Sequence, residues 1–432
     1  MLNGACFDPV RDFPLAGNAT RIASVKEWGV LAFDWRGGGD VWAWDRPCDD
    51  NQKQLDSAAA VNAVAPEVKT WIYRSFVNPI STMGAIRELL EDPQYHGFFL
   101  KFDQNVTNNT AMGNYRPCTT ASVKHVDPVT NRSSYVNKTT CSALAHRPSS
   151  NNGDCGSVPC GWYLFDHRNA SAREWIVDTW LMGASGMGNK LGVRGFFFDD
   201  NWSPNGGPAE ANGWDVATGL RRNSPQLHEI TAGWTQTVLA ATAAVQNAGG
   251  FTWSQLNCDQ GEYPASNPYS QLVCGAQFET QGYFGNPKRE ATLTKAKAQC
   301  AAWLRGACRV NSTLPKVPLL YKPTMPDNSS HDFDFLPAGL QDVAMFMLVR
   351  GPFAWFGSTE WDCFAPWDNT RPKHLPKELR VSYGEPTDAI CRETAAGTGV
   401  FVREWSKAHV TMDCNTFEAY IEEKRAAPHN GP

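Results

Sequence analysis

Two adjacent carboxylates close a short apolar run in the stretch Val193-Arg194-Gly195-Phe196-Phe197-Phe198-Asp199-Asp200-Asn201-Trp202. A near-continuous apolar run of this length reads as a strand covered on both faces. In a parallel α/β barrel the C-terminal strand ends form the catalytic face, so acids placed there are candidate catalysts. Trp202 beside them offers a flat apolar surface on which a sugar ring can stack. Cleavage of a glycosidic bond needs two carboxyl groups, one as acid and one as nucleophile or base. Asp199 or Asp200 is the expected nucleophile or charge stabiliser. Strand side chains alternate, so only one of the two is expected to point into the barrel mouth. The blander reading is that both cap the loop to the next helix.

The expected general acid is Glu279, which ends a weaker apolar segment and stands among Phe278, Tyr283 and Phe284. An apolar setting of that kind raises a carboxyl pKa. A loop hydrogen bond or salt bridge is its structural alternative. Asp34 with Trp35, and Asp103, stand at other expected strand ends and are read as substrate-binding residues. Glu360, Trp361 and Asp362 share the acid-plus-Trp composition and are expected at the rim of the same cleft. Asp259 and Glu262 follow another strand. Trp42, Trp44 and Trp355 complete the candidate sugar platforms, although a single Trp is more often core.

Other chemistries find less support. No GxSxG elbow, Cys-protease signature or HExxH motif is present. Asp199-Asp200-Asn201 is a weak signal for a divalent cation, so no metal and no cofactor are expected.

The elements that must position these acids are eight apolar segments: Gly29 to Asp34, Thr70 to Val77, Gly97 to Asp103, Val193 to Asp199, Gly250 to Leu256, Gln271 to Glu279, Val317 to Tyr321 and Ala344 to Phe356. Helical patterns fall between several of them, at Ser81 to Asp92, Ser171 to Met182 (with Ser171 or Asn169 as N-cap), Ser224 to Asn247 and Arg289 to Leu304. Strands alternating with helices predict an α/β fold, a (β/α)8 TIM barrel over residues 1–360. A doubly wound open sheet is the competing architecture, but Gly37-Gly38-Gly39 lacks the GxGxxG spacing of a nucleotide loop. Residues 104–160 break the rhythm and read as a Cys-rich, disulfide-stapled insertion after strand three, on the catalytic face. Residues 361–432 read as a small β extension built on a hairpin, Gly399 to Trp405 and His409 to Cys414.

Composition bounds the setting. The chain of 432 residues carries 39 Lys plus Arg against 44 Asp plus Glu and has no basic run, so nucleic acid is not an expected partner. Aromatics are abundant, with 17 Trp, many beside Asp, Asn or Gly, which fits a lined cleft as well as a core. The 13 Cys show no CxxC pair and no zinc spacing. Sequons begin at Asn18, Asn105, Asn108, Asn131, Asn137, Asn169, Asn201, Asn311 and Asn328. That density, with the Cys content, predicts a secreted or secretory-lumen glycoprotein, although the chain opens with no basic-then-apolar signal peptide. No run approaches the roughly 20 apolar residues that span a bilayer.

Three stretches carry a family resemblance: Gly-Phe-Phe-Phe-Asp-Asp-Asn-Trp at 195–202, Leu-Val-Arg-Gly-Pro-Phe-Ala-Trp-Phe-Gly at 348–357, and Tyr383-Gly384-Glu385-Pro386 with Val400 to Glu404. With them the chain resembles the glycoside-hydrolase-like barrel families, in particular hypothetical glycosyl-hydrolase-like family fifteen. The resemblance implies a TIM barrel with a C-terminal β extension, and it supports Asp199 and Asp200 as acidic site residues. It does not extend to Glu279, and the Cys-rich insertion departs from the family pattern. The expected function is hydrolysis of an oligo- or polysaccharide by paired carboxylates, with carbohydrate as the partner. Two alternatives are a non-catalytic carbohydrate-binding barrel that lost one carboxylate, and a disulfide-rich structural or adhesive ectodomain.

Overall fold

A computed structural model describes residues 2–3, 19–26, 29–33, 35, 49–105, 113–126, 129–130, 132–148, 155–208, 211–254, 263–264, 266–270, 273, 297, 300–308, 319–321, 339–351, 353–356, 378 and 381–424. The chain divides into two compact units, residues 2–277 with 360–365, and residues 278–359 with 366–432.

The first unit is built on a parallel sheet. Its strands β1 (Leu2–Asn3), β2 (Val30–Phe33), β3 (Lys69–Ser75), β4 (Val193–Asp199) and β5 (Phe251–Ser254) lie side by side in chain order. Trp71 of β3 stands opposite Gly195 of β4, and Gly195 opposite Phe251 of β5. One step on, Tyr73, Phe197 and Trp253 align in the same way. Residues at these positions share one sheet face. Their rings pack at centroid distances of 6.3 Å (Trp71 to Phe251), 5.7 Å (Tyr73 to Phe197) and 4.4 Å (Phe197 to Trp253). Gly195 makes the layer possible. A Cβ there would stand 2.3 Å from the Phe251 carbonyl oxygen and 2.9 Å from the Trp71 ring.

The opposite face carries Ile72, Arg74, Phe196 and Phe198 and is covered by helices. Arg74 is fully buried, its guanidinium 5.0 Å from the Trp180 ring. It donates to the Gln54 and Asn51 side chains and to the Tyr73 and Ser185 carbonyls. Burial lowers its pKa to about 9, against the opposing pull of Asp49.

Around the sheet lie α1 (Ala19–Lys26), α2 (Asp50–Val64), α3 (Gly84–Glu91), α4 (Ala170–Glu174, continuing as a π-helical segment Trp175–Leu181), α5 (Trp214–Thr218) and α6 (Pro225–Asn247). The caps follow local chemistry. Asn169 accepts from the Ser171 and Ala172 amides, and Ser224 from the Leu227 amide, with Pro225 in the first turn of α6. Helix α2 is absent from the sequence-based expectation because it carries no apolar stripe. Asp50, Asn51, Lys53, Gln54 and Ser57 are all buried in it.

The fold is mixed α/β, and its sheet shows no reversal of strand order. Among the described residues, however, five strands form an open arc and no closed barrel is present. One further expectation is corrected, and another lies almost wholly outside the described residues. Gly97 to Asp103 is not a sheet strand: a 3-10 turn occupies Pro93–Phe98, and only isolated bridges, Phe99 to Phe165 and Lys101 to Leu144, follow it. Pro93 and the Asp92 side chain, which accepts from the Gln94 amide, start that turn. Of the expected sixth strand only Val273 is described, and it is helical.

Within residues 104–160 and the strand that follows them, the loop expectation gives way to two antiparallel ribbons. Cys118–Val126 pairs with Ser133–Cys141, closed at its base by the Cys118–Cys141 disulfide. His146–Pro148 pairs with Gly161–Tyr163, beside the Cys155–Cys160 disulfide.

In the second unit, β6 (Leu319–Tyr321) pairs in parallel with β7 (Ala354–Phe356). Strands β8 (Arg392–Glu393), β9 (Val400–Glu404), β10 (Ala408–Asp413) and β11 (Glu418–Glu423) form an antiparallel sheet. Helix α7 (Gly339–Val349) lies where the eighth strand was expected to begin. Val343 to Val349 are all buried, so the segment has no periodicity to reveal its helical state. Arg403 of β9, itself buried, donates to the carbonyls of Met347, Leu348 and Arg350 and so caps the last turn of α7. Disulfides Cys300–Cys414 and Cys308–Cys391 join residues 300–308, which are helical, to this sheet region.

Candidate active site

The acid pair stands at the C-terminal end of β4, between β3 and β5 in the parallel sheet. Ser75 at the end of β3 is in register with Asp199, so the two share the sheet face that carries Tyr73 and Phe197. Asp200 follows the strand with φ 63°, a left-handed conformation that non-glycine residues seldom adopt. Asp199 supports that turn by accepting from the Asp200 amide at 2.9 Å.

The left-handed turn breaks the strand alternation. Asp200 swings back toward β3, and its Oδ2 accepts from the Ser75 hydroxyl at 2.7 Å and from the Asn78 amide at 3.3 Å. Asn78 is fixed in turn, its backbone amide donating to Ser75 Oγ at 2.9 Å. Alternation applies inside a strand, and Asp200 lies just outside it. Both carboxylates are half-buried.

The chain leaving Asn78 reaches the second ribbon, where Ile80 bridges Trp162. Trp162 is half-buried and packs edge-on with the half-buried Trp35 at 4.5 Å between ring centroids. Arg147, opposite Trp162 in the ribbon, lies 5.6 Å from the indole centroid. Tyr115 is buried and feels both charges. Burial raises its pKa most, Asp200 adds to the rise and Arg147 opposes it. Its phenol therefore stays protonated at neutral pH. His146, paired with Tyr163 in the ribbon, stacks on its ring at 5.2 Å, and burial lowers its pKa to about 4.

Tyr115, Arg147 and Trp162 are absent from the sequence-based candidates. One signal pointed toward two of them: Tyr115 and Arg147 lie within the insertion 104–160 expected on the catalytic face, and Trp162 follows just beyond its end.

The remaining candidates fall in different places. Trp202 is completely buried, packed edge-on against Trp214 at 6.2 Å, and presents no open ring face to a ligand. Asp103 holds the turn at Asn105 and lines a separate cleft of about 420 Å³ with Lys101, Phe99 and Arg168. Asp34, Glu279, Glu360, Trp361 and Asp362 lie outside the described residues, as do Asp259 and Glu262. Among the described residues no group of three or more His, Cys, Asp or Glu side chains is arranged to hold a metal. None of the described helices is long and apolar enough to cross a membrane.

No family model and no curated protein matches the chain. Among solved structures it is similar to sucrose 6F-phosphate phosphorylase from Thermoanaerobacter thermosaccharolyticum, at 9% identity and TM-score 0.40 over 92% of this chain and 89% of that one. It is also similar to the trehalose-6-phosphate hydrolase of Bacillus licheniformis, at 10% and 0.37 over 78% of this chain and 59% of the other. A third is the GH31 alpha-xylosidase from Xanthomonas citri, at 11% and 0.37 over 79% and 31%. Likeness at these scores decides neither fold nor activity.

Proposed function

We propose that the protein is a glycoside hydrolase acting on an oligo- or polysaccharide. The observation that carries this reading is the acid pair at the C-terminal end of β4, whose Asp200 accepts from Asn78, two residues before the Ile80 bridge to Trp162 of the half-buried Trp35–Trp162 pair. Asp200 is the reacting carboxylate, nucleophile or charge stabiliser, because Ser75 and Asn78 aim it. Asp199 is a positioning residue that supports the left-handed turn. Glu279 is the proposed acid, the second carboxyl that the reaction requires. Trp162 and Trp35 hold a sugar ring, with Tyr115 donating to it. The sequential parallel order of β1 to β5 supports an arc of a (β/α)8 barrel. Among the described residues, the disulfides Cys118–Cys141, Cys155–Cys160, Cys300–Cys414 and Cys308–Cys391 support a secreted or lumenal setting.

The test is turnover of a panel of aryl glycosides and of algal, plant and microbial glycans, run beside a glycan-binding array. Hydrolysis of one panel member, with binding weakened roughly tenfold in Trp162→Ala (a loss of ~1.4 kcal/mol), is the expected result. Glycan binding with no turnover of any member would instead establish a carbohydrate-binding protein. Neither binding nor turnover would overturn both readings.

A further inference from the structure

Independently of how the acid pair is read, we infer that Asn137 is an N-glycosylation site and that its glycan covers the exposed ribbon Cys118–Val126/Ser133–Cys141. Asn137-Lys138-Thr139 is one of nine sequons, and a sequon alone says little. The fold separates the described ones. Asn105 donates its side-chain amide to Asp103 at 3.1 Å. Asn169 donates to the Gly97 carbonyl at 2.9 Å while its oxygen caps α4. Asn201 is half-buried between the acid pair and the buried Trp202. Asn137 is exposed in an extended strand, opposite Ser122, and its amide makes no hydrogen bond among the described residues.

Two further observations converge on the same ribbon. The Cys118–Cys141 disulfide closes its base, and this bond forms and persists in the oxidising compartments that secretory proteins traverse. The ribbon is also a two-stranded sheet with exposed Tyr135 (58%) and Val136 (47%) next to Asn137. Both its strands are edges, a template for pairing with another chain unless something bulky or charged blocks them. A hydrated glycan on Asn137 blocks one edge.

The modification joins Asn137 Nδ2 to the anomeric carbon of an oligosaccharide carried on a polyisoprenoid diphosphate. The bond from that carbon to the diphosphate oxygen breaks as the carbon–nitrogen bond forms. Nδ2 releases one proton, the lipid diphosphate leaves with the electron pair, and nothing is oxidised or reduced.

The experiment expresses the full chain behind a cleavable secretory leader in a eukaryotic host. Peptides from the medium, and from the detergent-solubilised lumenal fraction, are treated with an amide-cleaving N-glycanase in heavy-oxygen water and mapped by mass. Asn137 is expected to appear as labelled Asp in most copies. The label should vanish in Thr139→Ala and persist in Thr139→Ser, which keeps both the sequon and a hydroxyl partner for Thr120. Unlabelled Asn137 in both fractions of wild type would overturn the inference, whether or not other sequons are occupied. The wild-type map decides the matter even if a variant fails to fold.

Discussion

At the scale of single residues, the geometry around Asp200 orders the effects of substitution. Asp200→Asn removes the charge proposed to react and is expected to lower kcat by about 10²–10⁴-fold, the range for losing a positioned catalytic group. Asp199→Asn keeps an oxygen that can accept from the residue-200 amide, so the turn survives and the loss is smaller. Ser75→Ala removes one of the two donors that aim Asp200. It is expected to cost about 1 kcal/mol in stability and about tenfold in kcat, with KM little changed. Kinetics paired with denaturant titration separate the two effects. A Ser75→Ala enzyme with full kcat would show that Asp200 needs no such aiming.

Individual elements show what the sequence made legible. Strand β4 reads directly from its residues because a run buried on both faces and ended by acids is short and unmistakable in type. Helix α6 reads from Ser224, Pro225 and an Ala-rich body. Two helices stay hidden for opposite reasons. Helix α2 buries polar residues against Arg74, while α7 is apolar at every described buried position, and neither pattern has a helical period. The acid pair is legible by type, but its joint orientation depends on a left-handed turn at a non-glycine residue, which composition does not announce. Trp162 and Arg147 meet the site only through ribbon pairing across the insertion.

Close packing at Gly195 gives a prediction at this scale. Gly195→Ala places a methyl 2.3 Å from the Phe251 carbonyl oxygen and is expected to cost about 1–3 kcal/mol, read as a lower midpoint in urea. An unchanged midpoint would contradict the described aromatic layer.

For the whole molecule, stability should depend on two buried histidines and on disulfides. His167 is fully buried between Thr237 Oγ1 (2.9 Å) and the Phe76 carbonyl (2.7 Å), and burial lowers its pKa to about 4, as it does for His146. The unfolded chain takes up these protons near the ordinary histidine value of 6.5, while the folded chain resists them until about 4. The associated stability is therefore complete above pH 6.5 and is lost as pH falls from there toward about 4. Urea midpoints should fall across that window, and by less in His146→Phe. A flat profile would contradict neutral buried imidazoles. In the second unit, Cys308→Ala/Cys391→Ala opens a bridge that spans 83 residues and should destabilise that unit by about 2–5 kcal/mol. Differential scanning calorimetry of the variant checks it, and an unshifted transition would contradict the pairing.

The central claim is that the carboxylates ending β4 form a catalytic centre in which Asp200 reacts and Asp199 positions it. The most direct measurement is kcat/KM of wild type, Asp199→Asn and Asp200→Asn on the glycoside the panel identifies, with folding verified by matched urea midpoints. Near-complete loss in Asp200→Asn with a smaller loss in Asp199→Asn is the predicted result. Turnover retained in both variants would contradict the account and move the chemistry away from this strand end.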